Sequence, residues 1–144
     1  MLSCFMYEKF GQFIDGKWIK SSNRETYEVI NPANEEILGR ASKASPEDVE
    51  KALKSAEKGL EVWKKTTPGQ RSYILRRIAD KMREKQDVLA KWMTLEMGKP
   101  LNEAKGEVNG AADIFEWNAE ETKRIYGQTV ESLSLIHISE PTRL

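Results

Sequence analysis

The chain has 144 residues, 39% hydrophobic and 32% charged, with 23 basic and 23 acidic side chains that cancel. That length allows one ordinary domain or a piece of a larger one, and no stretch approaches the roughly 18–20 apolar residues of a membrane span. A single cysteine, Cys4, and a single histidine, His137, exclude an internal disulfide and a Cys/His zinc cluster.

The opening MLSCFMYEKF lacks the basic region, apolar core and cleavage site of a secretory leader. A cytoplasmic location is therefore expected. Met6 opens a natural-looking start, which leaves Met1–Phe5 as candidate upstream translation and residues 1–7 as an N-terminal extension.

Residues 10–42 read as strands. Phe13-Ile14 and Trp18-Ile19 flank Asp15-Gly16, a hairpin signal because a type I′ turn needs positive φ at both central residues. A second extended pair follows, Tyr27–Ile30 and Ile37–Ala41, around the turn-forming Asn31-Pro32-Ala33-Asn34.

From Ser45 the period becomes helical. Ser45-Pro46-Glu47-Asp48 supplies an N-cap hydroxyl, a proline at the first helical position and acids in the first turn. Val49, Ala52, Leu53, Ala56, Leu60 and Trp63 fall on one stripe. Thr67-Pro68-Gly69-Gln70 repeats the start signal as a capping box. Tyr73, Ile74, Ile78, Ala79 and Met82 carry the stripe of this second helix. A third run, Val88 to Leu95, stops at Gly98 with Pro100 beyond. The last helix carries Ala104, Val108, Ala111, Ala112, Phe115, Ala119 and Ile125 and closes at Gly127; Gly106 and Gly110 on it permit close backbone approach. The expected fold class is an α+β fragment, N-terminal β-hairpins followed by a layer of about four helices. Several stripes have no sheet to cover, and no Gly-rich phosphate loop follows a strand.

Charge is uneven along the chain. Residues 51–85 hold eleven Lys/Arg against four Asp/Glu, a local +7. A helical interaction or nucleic-acid module is one reading of that segment. A solvated helix face is the commoner one, and with zero overall charge neither a nucleic-acid nor a membrane partner is expected.

After Val130 the character changes. Leu133–Arg143 resembles, at all eleven positions, the translation of a transposon-type sequencing-library adapter. A short native strand is the alternative. Residues 131–144 are accordingly set apart as a non-native tail, and His137 is not a candidate base or ligand.

Residues 8–130 resemble the N-terminal part of the aldehyde dehydrogenase superfamily, nearest its succinate-semialdehyde-like branch. The resemblance rests on F-I-D-G-K-W at Phe13–Trp18, V-I-N-P-A at Val29–Ala33 and S-P-E-D-V at Ser45–Val49. It continues with R-S-Y-I-L-R-R-I-A-D at Arg71–Asp80, T-L-E-M-G-K-P-L-N-E-A-K-G-E-V at Thr94–Val108 and E-W-N-A-E-E-T-K-R-I-Y-G at Glu116–Gly127. The family's usual aromatic after the tryptophan is replaced by Asn118.

The resemblance implies an α/β parent, a homo-oligomer that oxidises an aldehyde to an acid with NAD or NADP. Residues 8–130 are then an incomplete piece of its cofactor-binding domain. The family's cysteine nucleophile, glutamate base and oxyanion asparagine fall beyond Val130, so no cofactor is expected to bind this chain and no catalytic residue is assigned. Two minor sites carry over. A structural monovalent cation is implied at the main-chain carbonyls of Val29 and Ile30 and the carboxylate of Glu96, oxygen ligation that suits a hard cation; a mere helix-end role for Glu96 is the alternative. Gly110, Ile114 and Trp117 are implied at a substrate tunnel, with plain core packing as the alternative.

Overall fold

The computed structural model describes residue 7 and residues 11–127. The sequence-based boundaries within residues 1–6 and 8–10, and the tail from residue 131, lie outside the described residues.

Two separate antiparallel hairpins come first. β1 (Gln12–Ile14) pairs with β2 (Lys17–Ile19), and Asp15 and Gly16 take φ of 53° and 74°, as the Asp-Gly turn requires. β3 (Thr26–Ile30) pairs with β4 (Ile37–Ser42) around a loop in which Asn31 and Asn34 side chains accept from Ala33 and Glu36 amides at 3.0 and 3.1 Å. Register slips between Val29–Gly39 and Ile30–Ile37, leaving Leu38 as the extra residue of a bulge. The slip lets two successive residues, Leu38 and Gly39, both be buried where a regular strand would alternate.

The helices are α1 (Pro46–Trp63), α2 (Pro68–Glu84), α3 (Gln86–Met97) and α4 (Leu101–Glu121). The expected capping box of Thr67 with Gln70 forms, and the expected Ser45 N-cap also closes into one with Asp48. Gly98 ends α3 in the left-handed region at φ 72°. α4 stops earlier than expected. Thr122 turns its hydroxyl back to the Ala119 carbonyl at 2.7 Å and to the Pro68 carbonyl at 3.2 Å, and the chain tightens into a 3₁₀ turn at Thr122–Arg124. Ile125 therefore lies outside the helix, 69% exposed.

α2, α3 and α4 pack together, and their core is made of small side chains. Among the described residues the buried apolar set is Leu38, Ala79, Ala90, Ala104, Val108, Ala112 and Ala119. Alanine lets helix backbones approach closely, but each alanine buries little area. The expected stripes are therefore split. On α2, Ser72 and Ala79 are buried facing α4, whereas Tyr73, Ile74 and Ile78 turn to the open side. On α1 the split is sharper: Asp48 is buried and Ala52 and Ser55 are half-buried, while Val49, Leu53, Leu60 and Trp63 stay outside. Gly106 and Gly110 bring no backbone close; the space beside each is open.

Ion pairs tie the helices across their seams. Arg83 reaches Asp113 and Glu116, both at 2.7 Å, Lys105 reaches Asp87 at 2.7 Å, and Arg76 pairs with Glu120. No described helix is long and apolar enough to cross a membrane.

Candidate functional site

Glu96 sits in the last turn of α3, exposed, two residues before the glycine that ends the helix. Gly98 places that end against the second hairpin: a methyl group there would lie 3.2 Å from Pro32 Cγ, two residues past Ile30. Val29 is half-buried and Ile30 exposed, and the register slip falls between them. The structure thus brings the helix end and the β3–β4 turn together, although Glu96 lies 66 residues beyond Ile30 in sequence.

Tyr7 completes the junction, and sequence reasoning missed it. Its ring meets Trp92 edge-on, centroids 5.1 Å apart at 80°. Its hydroxyl donates to Glu96 Oε1. Its ring also covers Gly39, the cross-strand partner of Val29, so closely that a methyl group at Gly39 would lie 2.5 Å from Cδ2. Burial, the hydrogen bond to Glu96 and that residue's negative charge hold the phenol protonated, well above the ordinary tyrosine range. Nothing in the MYEKF opening signals these contacts, because all of them are made with residues distant in sequence.

The donor set is one carboxylate plus main-chain oxygen. Among the described residues no three His, Cys, Asp or Glu side chains gather as a metal cluster. Glu96 Oε1 is taken by Tyr7, and no hydrogen bond or ion pair occupies Oε2 among the described residues. Lys99 does not neutralise Glu96, since it pairs with Glu107. A carboxylate oxygen unpartnered among the described residues, at a helix end that meets the β3–β4 turn at Pro32, is of the oxygen-donor type a hard cation takes.

The other candidates share one face of α4. Gly110, Ile114 and Trp117 recur at helical spacing, with Ile114 64% and Trp117 70% exposed. They do not pack in the core of the described residues; that role belongs to Ala104, Val108, Ala112 and Ala119 on the opposite side. Asn118, the departure from the family pattern, folds back and donates to the Ile114 carbonyl at 2.8 Å.

A second unforeseen polar centre is Asp48. Its buried carboxylate accepts from the Ser22 hydroxyl, from the Ser22 amide at 3.0 Å, from the Ser21 hydroxyl at 3.0 Å and from the Ser45 amide at 3.0 Å. These donors, the Ser22 hydroxyl foremost, outweigh burial and hold the acid well below the usual carboxylate range. The sequence showed Asp48 as a first-turn acid; its grip on the Ser21-Ser22 loop is tertiary. Two concavities flank these centres: a basic and aromatic cleft of about 830 Å³ beside the hairpins, lined by Tyr7 together with Trp18, Lys20, Arg24 and Arg40, and an open groove of about 630 Å³ over Ile74, Ile78 and Leu89.

Comparison with known proteins bears on this arrangement. The model of the aldehyde dehydrogenase family matches residues 18–142. The chain belongs to that family. Its match does not stop at Val130 but runs into the segment set apart above as a tail. A glutarate-semialdehyde dehydrogenase of Pseudomonas aeruginosa is 46% identical over 118 residues, 82% of this chain and 24% of the relative. The NADP(+) succinate-semialdehyde dehydrogenase of Escherichia coli is 46% identical over 117 residues, 81% and 24%. The chain thus spans about a quarter of the length of the curated relatives it matches. Among solved structures, betaine aldehyde dehydrogenase of Staphylococcus aureus, in complex with NAD+, superposes with a TM-score of 0.84 at 30% identity, covering 93% of this chain and 28% of that one. An NADP-dependent enzyme of E. coli gives 0.83 at 42% identity, 92% and 28%. The α+β architecture expected from the sequence is therefore the one found.

Proposed function

We propose that this chain is the N-terminal part of an NAD(P)-dependent semialdehyde dehydrogenase, and that by itself it is catalytically silent. The observation that carries the reading is the 46% identity to two semialdehyde dehydrogenases over a span that is only 24% of each. Oxidation of an aldehyde needs a thiolate to attack the carbonyl carbon and a bound nicotinamide to accept the hydride. The sequence's one cysteine, Cys4, matches no catalytic motif. In the whole enzyme, a cytoplasmic homo-oligomer on this reading, the chain's share is structural. The exposed face at Gly110, Ile114 and Trp117 lines the substrate path, apolar surface that sheds water from the aldehyde. The junction of Glu96 with the Val29 and Ile30 carbonyls holds a monovalent cation that fastens α3 to the second hairpin.

A stand-alone nucleic-acid module finds less support. Within the basic segment Lys51, Lys54, Lys64, Arg76, Lys81 and Arg83 are already ion-paired to carboxylates, and Arg71 covers the Trp63 ring at 5.6 Å.

Purified chain incubated with succinic or glutaric semialdehyde and NAD or NADP should form no reduced nicotinamide. Turnover above a buffer control, with host enzyme excluded, overturns the silence. Source DNA read past codon 132 tests the tail: a native continuation bearing a cysteine-centred motif supports the reading, and an unbroken native Leu133–Leu144 overturns the adapter assignment.

A further inference from the structure

We propose that Tyr7 is the positioning residue of the cation junction: its phenol sets the Glu96 carboxylate while its ring occupies the place that Gly39 leaves open opposite Val29. The proposal rests on the cation reading above and adds a residue that the family motifs do not carry. Three contacts converge on one side chain. The hydroxyl donates to Glu96 Oε1, the ring edge meets Trp92 one turn earlier on the same helix, and the ring face fills the gap at Gly39. One residue thereby touches the helix carboxylate and the strand paired with Val29, at Gly39 directly across from it.

The chemistry favours a phenol here. Glu96 is exposed at a helix end, and its torsions would be free without a fixed donor. A neutral O–H restrains one oxygen without cancelling the negative charge, so the other oxygen keeps its full attraction for a cation. An ammonium in the same place would neutralise the site, and Lys99 is held away on Glu107. Second-layer donors of this kind orient ligands in metal sites generally.

The full 144-residue chain is titrated with potassium chloride against choline chloride at constant ionic strength, and tryptophan emission is read, with Trp92→Phe assigning the signal. Wild type should respond saturably, and Glu96→Gln should abolish the response. Tyr7→Phe keeps the ring on Trp92 and Gly39 but loses the donor; its apparent potassium affinity should fall about tenfold, the low end for loss of an outer partner, with unchanged far-UV helicity. Gly39→Ala retains every donor yet displaces the ring, so it should weaken potassium similarly, and the double variant should be no worse than the weaker single one. Should Tyr7→Phe lose its helical signal, Gly39→Ala carries the same test. Wild-type affinity in Tyr7→Phe, or in a folded Gly39→Ala, overturns the role of Tyr7 and leaves the cation reading standing. A wild type without saturable response, or one that Glu96→Gln leaves unchanged, removes the cation reading and the proposal with it.

Discussion

α1 and the α2–α4 group show opposite uses of the same sequence signal. α1 carries a long, regular apolar stripe, yet Val49, Leu53 and Leu60 remain 49–57% exposed. α4 has a weaker stripe of alanines and one valine, and it is fully seated against α2 and α3. The difference teaches that periodicity reports which face wants a partner, not whether the partner is present. In α2–α4 the partners are local, joined by short connections, and small side chains let the backbones close together. In α1 the face turned to the rest of the chain is the polar one, anchored by Asp48 at the Ser21-Ser22 loop, and the apolar face looks outward.

The largest expected effect is on cooperativity. Half-exposure of Val49, Leu53, Leu60 and Trp63 forfeits about half of the roughly 1.5–3 kcal/mol that burying each would give, about 3–6 kcal/mol together. Domains are stable by only about 5–15 kcal/mol. The isolated chain should show far-UV helicity with a broad thermal transition and should associate as concentration rises, with hydrogen-exchange protection strongest in α2–α4. A monomer melting cooperatively above about 60 °C, the upper end for mesophile domains, would break the comparison and mark the segment as self-sufficient.

Substitutions sharpen it next. Ala112→Leu, at a fully buried seam position, should cost about 1–3 kcal/mol by overpacking. Leu53→Ser on the open face of α1 should stay within about 0.5 kcal/mol. Denaturant midpoints of the two variants, read by helicity, test the contrast directly; equal losses would show that α1 is packed after all. Gly98→Ala should follow at about 1–2 kcal/mol, because alanine at φ 72° pays the left-handed cost and its methyl group would press on Pro32. A normal urea midpoint for Gly98→Ala would show that the helix end does not bear on the second hairpin.

The smallest effect is a local pH response. The folded-state pKa of Asp48 is depressed, so its stabilising contribution is complete above the unfolded value of about 3.9 and is lost as pH falls from there toward the folded value. Because the folded carboxyl titrates well below the usual range, amide signals of residues 21–22 and 45–48 should hold their positions as pH falls through about 4. A shift of those signals centred near pH 4, about the ordinary carboxylate range, would dismiss the Asp48 anchor.

The sequence by itself determined whatever depends on near neighbours. Asp15-Gly16 dictated its turn, Ser45 and Thr67 their helix starts, and Gly98 the stop of α3, because each acts through backbone geometry within four residues. Family membership was legible too, since the ordered motifs from Phe13 to Gly127 are specific in combination. Tertiary structure alone decided which side of each stripe is used, that α4 ends at Thr122 through a bond to Pro68, that Asp48 grips Ser21-Ser22, and that Tyr7 joins Glu96 to Gly39 on the strand paired with Val29. These contacts span tens of residues, and an amphipathic pattern is compatible with many of them. The choice falls to shape: alanines admit a neighbouring helix, a missing side chain at Gly39 admits a ring, and neither fit is written in the order of the residues on one helix.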